Sequence, residues 1–301
     1  MSNQLKGIVL IICGTVFWGI GGTVAEVLFK DYGLDVNDYV KFRLIVSGLL
    51  LLLLALIRKQ PVTAPFKNKW TALQMLVYSV FGMLAVQYTY MASIQTGNAA
   101  VATLLQYLSP VVILIFYVIS RKKPFRLQDL TIVAISMFGT FLLLTNGSRQ
   151  SFEVAPPAVI WGLLSATAAA FYIMYAGNLF KHAPSLVIVG WAMLIGGFFM
   201  FILDFSWSFN FTALGGRGLL LLSISVIVGT MLAFWLYLES VNYIQAEIVA
   251  LLGCLEPLTA VILSVIWLNA SFGIMQFIGI LIIFSIVIYS SLNKANSKKL
   301  S

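Results

Sequence analysis

The chain has 301 residues, of which 61% are hydrophobic, 14% aromatic and only 9% charged, and its mean hydropathy is +1.00; a soluble domain carries about 25% charge. The net charge of +8 does not point to nucleic acid, because the 18 Lys and Arg sit in short segments between apolar runs. His182, at a loop boundary, is the only histidine, which leaves no His pair for a metal site and argues against a Ser-His triad, and Cys13 and Cys254 inside apolar runs form no disulfide framework.

Ten apolar runs are long enough to cross a hydrocarbon core of ~30 Å at 1.5 Å per residue. In chain order they cover 7–29, 39–57, 70–92, 97–119, 128–145, 156–179, 186–204, 217–239, 246–268 and 273–291. Continuous apolar character predicts helices, since barrel strands alternate. The first run contains Trp18 and Glu26 and lacks a short apolar core with a cleavage site. It reads as a retained helix rather than a signal peptide.

Charge placement predicts the topology. With the N-terminus inside, thirteen Lys and Arg fall in cytoplasmic segments, and Lys30, Arg149 and Arg217 fall outside. Lys41 and Arg43 lie at the outer start of the second run. This bias places both termini in the cytoplasm.

The chain also repeats itself at an offset of 147. "AAVATLLQYLSP" from Ala99 aligns with "AEIVALLGCLEP" from Ala246, and Gly82 with Gly229, Tyr90 with Tyr237 and Ser93 with Ser240 share the offset. Five helices per half is an odd number, so the second half must enter the membrane from the other side. The loops agree: "RKQPVTAPFKNK" and "SRKKPFRLQ" are basic, while their counterparts "DFSWSFNFTALGGR" and "NASFG" carry little or no positive charge. The expected architecture is an all-α integral membrane domain of two inverted five-helix repeats, residues 1–147 and 148–301.

"VFWGIGG" at 16–22, "NAAVATLLQYLSPVV" at 98–112, "IWG" at 160–162 and "QAEIVALLGCLEPLTAVIL" at 245–263 resemble the signatures of the EamA family in the drug/metabolite transporter superfamily. Where that family commonly carries a Gly-Glu pair, this chain has "SRKKPF" and "WLNASF". The resemblance implies a multi-pass carrier in the cell membrane, exporting amino acids or related metabolites, in a lipid bilayer, as a monomer or homodimer. It implies no cofactor and no enzymatic activity. The lack of a nucleotide-binding loop fits a secondary carrier, with protons as candidate coupling ions; the alternative readings are a facilitative uniporter or channel and a non-transporting membrane scaffold.

Glu256 is the eleventh residue of its run, near mid-membrane, where an acidic side chain costs about 2.5 to 3.5 kcal/mol and faces the protein interior or a water-filled cavity. It reads either as a hydrogen-bonded packing residue or as part of a substrate or proton site. Pro257 beside it, and Pro110 in the first half, remove helical N–H groups and free carbonyls at the same depth. Glu26 with Lys41 or Arg43 forms a candidate outer charge pair, serving as helix-end anchors or as a gate that contacts a substrate carboxylate. Trp18, Tyr88, Tyr107, Tyr172 and Trp235 stand on helices that, by the resemblance, line the central cavity, where such rings stack on planar or cationic solutes as well as serving as core. Glu239 and Glu247, near cytoplasmic helix ends, are expected to be solvated.

Overall fold

A computed structural model describes residues 3–96, 99–120, 126–148, 155–207, 210–253, 255–268 and 273–297. Among them there is no strand. Eight helices are long and apolar enough to cross a membrane, and two shorter apolar helices, Leu130–Thr145 and Ile274–Ile286, occupy the fifth and tenth predicted runs.

The first two spans are α1 (Asn3–Tyr32) and α2 (Val36–Ile57), the latter capped by Asp35, whose carboxylate accepts from the Asp38 amide. The third span joins α3 (Lys69–Val77), capped by Asn68, to α4 (Ala85–Thr96) through a π-helical segment, Tyr78–Leu84. The fourth run is broken: α5 (Ala99–Gln106) ends at Tyr107 and Leu108, and α6 (Ser109–Ile119) starts afresh with Pro110 in its first turn. Next come α7 (Leu127–Thr145), α8 (Pro156–Leu179) and α9 (Ser185–Leu203).

The eighth span runs α10 (Phe211–Val226), a second π segment (Ile227–Leu232), then α11 (Ala233–Ser240). It begins six residues before the predicted 217, because Asn210 caps a helical turn that kinks at Gly215, whose φ is 59°. The ninth run also breaks, into α12 (Ala246–Leu252) and α13 (Leu255–Leu268). The chain closes with α14 (Ile274–Ser297). Both prolines singled out in the sequence therefore sit in the first turn of a new helix, the position where a missing N–H costs least.

Packing pairs elements from the two halves of the chain. α2 lies on α9, α7 on α14, α1 on α11 and α13, and α8 on α4 and α5. Small residues bring backbones together at these seams: a Cβ on Gly279 would stand 2.6 Å from the carbonyl oxygen of Gly139. Large apolar side chains such as Leu53, Ile57, Phe81 and Ile266 stay exposed on the outer surface, as a lipid-facing wall requires.

Candidate functional site

The breaks in α5–α6 and α12–α13 and the π segment of the eighth span border one cavity of about 810 Å³, counted as all empty space out to its opening. Its wall draws on both halves: Trp18, Gly21 and Gly22 from α1, Arg43 from α2, Gln87, Tyr90 and Met91 from α4, Gln106 and Tyr107 at the first break, Tyr172 from α8, Gly229 from the second π segment, Phe234 and Tyr237 from α11, and Gly253 and Glu256 at the second break.

Helix breaks supply the chemistry. Pro257 cannot donate to the carbonyl of Gly253, four residues back; the Tyr107 hydroxyl donates to that carbonyl instead. The same hydroxyl faces Glu256 Oε2 at 3.3 Å, and the Glu256 amide donates to the Gly253 carbonyl at 2.9 Å. A tyrosine from the first half thus stitches the break in the second and places its hydroxyl on the half-buried carboxylate. Arg43 lies close enough for its charge to act on Glu256.

Aromatic rings form much of the remaining wall. Trp18 lies 4.3 Å from Tyr237 and edge-on to Phe234 at 4.7 Å, and Tyr172 stacks toward Tyr237 at 6.4 Å. Tyr90 shares a 2.7 Å hydrogen bond with Thr103, and the Gln106 amide donates to Ser165 at 2.8 Å. Four buried polar atoms on the lining have no hydrogen-bond partner among the described residues: Trp18 Nε1, Arg43 Nε, Gln87 Nε2 and the Tyr172 hydroxyl.

The π segment of the eighth span lets α1 touch it at Gly229. A Cβ on Gly21 would stand 2.5 Å from the Gly229 Cα, so only glycines permit this crossing at the cavity wall. In that segment the Thr230 hydroxyl reaches back five residues to the Ser225 carbonyl at 2.9 Å, taking up a backbone group that the wider turn releases.

Of the residues singled out in the sequence, the cavity gathers Glu256, Trp18, Tyr107 and Tyr172, together with Arg43. Tyr88 stands elsewhere, 39% exposed and edge-on to Trp161. Trp235 points away from the cavity, its indole N–H 3.3 Å from Ser185 Oγ and its ring under Arg58. Pro110 lines a smaller cavity with Ser136 and Thr140, and Pro257 is buried beside Glu256.

Lys41 is fully buried, with its ammonium 3.2 Å from Asp38, 3.0 Å from Asp204 and 2.7 Å from the Ser206 carbonyl. The backbone of Glu26 belongs to α1; its side chain, and so the expected pair with Lys41 or Arg43, lies outside the described residues. Glu239 departs from expectation: it is half-buried and accepts from Ser185, Asn242 and Tyr243, because α9 and α11 close over it. The Glu247 side chain also lies outside the described residues. The sequence reading missed Gln87, Gln106 and the Gly21–Gly229 crossing. An uncharged amide within an apolar span was the available signal for the two glutamines.

The model of the EamA-like transporter family matches the chain twice, over residues 5–145 and 156–292. The chain belongs to the EamA-like transporter family. An uncharacterized inner membrane transporter of Salmonella typhimurium, YicL, is 33% identical over 293 residues, 97% of each chain. The uncharacterized transporter YetK of Bacillus subtilis is 24% identical over 93% of this chain and 85% of its own. In fold, a crystal structure of a protein 17% identical in sequence superposes with a TM-score of 0.77 over 96% of both chains. This EamA-like protein is therefore a multi-pass membrane transporter.

Proposed function

We propose that the protein is a secondary carrier that exports small metabolites such as amino acids or amines by alternating access around the Glu256 cavity. In this reading ten spans form two inverted halves, residues 1–147 and 148–301, with both termini in the cytoplasm. The double match of the family model supports the duplication, and so does the packing: α2 meets its repeat partner α9, α7 meets α14, and the α1–α11 seam is mirrored by α8–α4. The two π segments and the two Pro-started helices recur at corresponding places in the halves.

The observation that carries the reading is a carboxylate, Glu256, set in a cavity to which both halves contribute and held by a tyrosine from the opposite half. A solute amine, or a proton exchanged against it, is the complementary ligand. When the halves rock, Tyr107 and Glu256 separate or close, which couples occupancy of the carboxylate to the side that is open. Counterflow in proteoliposomes tests this: uptake should saturate and accelerate with solute on the far side, and Glu256→Gln should slow it at least tenfold and flatten its pH profile. Equal rate and pH profile in a correctly folded variant would remove Glu256 from the mechanism.

A further inference from the structure

Three residues on three helices line the cavity and each carries a buried donor without a partner among the described residues: Arg43 Nε from α2, Gln87 Nε2 from α4 and Trp18 Nε1 from α1. Arg43 and Gln87 are 7% and 4% exposed. Arginine Nε, an indole N–H and an amide nitrogen can only donate. A buried donor left unpaired costs about 1 to 3 kcal/mol, and three in one wall mark a place that a ligand's acceptor oxygens complete. Hydroxyls elsewhere in the helices avoid this penalty by bonding back one turn, as Thr15, Thr23 and Thr259 do; these three groups have no such local recourse.

We propose that Arg43, Gln87 and the Trp18 indole form an oxyanion subsite that seats a carboxylate of the transported solute. The inference rests on the carrier reading and adds the group that the solute must carry. Charge selects the class. Among the described residues no carboxylate lies within ion-pair distance of Arg43, yet Glu256 shares the cavity. One guanidinium balances a monoanionic carboxylate; a dianionic phosphate would leave a negative charge uncompensated beside Glu256. The guanidinium also lies 5.3 Å from the Tyr39 ring centre, a contact that helps fix its position. The Trp18 ring lies 4.3 Å from the Tyr237 ring and 4.7 Å from Phe234, so an apolar body next to the carboxylate meets rings rather than polar groups.

The test uses the purified full chain and matched trios sharing one skeleton: isocaproate, isoamylamine and leucine, then hydrocinnamate, phenethylamine and phenylalanine, with inorganic phosphate as the dianion. Binding is read by thermal shift and calorimetry. The acid and the amino acid of a trio should bind, and Arg43→Met or Gln87→Met should weaken the acid by roughly 10- to 100-fold, the range for a charged hydrogen bond. Amine binding should change less than threefold. Arg43→Lys should recover part of the acid's affinity, which a purely structural arginine would not give. If Arg43→Met fails to fold, Gln87→Met and Arg43→Lys carry the comparison. Acid binding unaffected in Gln87→Met and in a folded Arg43 variant, no acid binding in the wild type, or phosphate binding tighter than either acid would each overturn the subsite. Amine-only binding would overturn it too while leaving the carrier reading intact, since counterflow of the amine tests that reading separately.

Discussion

Replacing Gly21 with alanine probes the crossing on which the cavity wall depends. The new Cβ would stand 2.5 Å from the Gly229 Cα, with the Gly229 carbonyl oxygen at 3.1 Å. Carbon atoms pack at about 3.5 to 4.0 Å, so α1 and the π segment must part by about 1 Å, and neither obstacle is a side chain that can swing aside. Overpacking of this kind costs about 1 to 3 kcal/mol, equivalent to about 2 to 5 °C in melting temperature for a chain of 301 residues. The neighbouring Gly22 is the control: nothing lies within 4 Å of its added Cβ, and the substitution should be neutral or slightly stabilising. Melting of purified Gly21→Ala, Gly229→Ala and Gly22→Ala, followed by tryptophan fluorescence, gives the comparison. Equal melting temperatures for Gly21→Ala and Gly22→Ala would refute the close crossing.

Three further outcomes follow from the geometry. Lys41→Met takes the ammonium from the buried Asp38 and should cost about 2 kcal/mol, less than for a wholly buried pair because Asp204 is 38% exposed; a melting temperature within a degree of wild type would contradict it. Tyr107→Phe leaves the Gly253 carbonyl with only the Glu256 amide and should cost about 1 kcal/mol, measured by the same melt; a gain in stability would show that the hydroxyl is not bonded there. Hydrogen bonds from the Ser206 hydroxyl, then Lys41 and the Ser206 amide, hold Asp204 at about 2 against an ordinary 3.8. Its folded pKa is depressed, so its contribution is present above about pH 4 and lost as pH falls toward 2. The stability gap between wild type and Asp204→Asn should therefore be flat at neutral pH and close between pH 4 and 2, and a gap that persists at pH 2 would contradict the assignment.

Much of the helical architecture was legible because a bilayer leaves few options: long apolar runs must be helices. Glu256 and its Pro257 were readable for the same reason, since a charge and a helix break at one depth demand an interior partner. What escaped was set by rotation about helix axes. Tyr88 and Tyr172 look alike in sequence, yet one faces Trp161 near the surface and the other lines the cavity. An almost uniformly apolar helix has no polar stripe from which to read its orientation. Arg43 was legible as a charge below the outer surface, but its place in the Glu256 cavity depends on where α2 packs on α9. The π segments have no sequence signature, although the one in the eighth span sets the wall at Gly229.

Counterflow of a bound amino acid through wild-type, Glu256→Gln and Arg43→Met proteoliposomes tests the central claim most directly. The account predicts saturable, trans-accelerated flux in the wild type and at least a tenfold loss in each variant at unchanged melting temperature. Folded variants that transport at the wild-type rate would place the solute path outside this cavity.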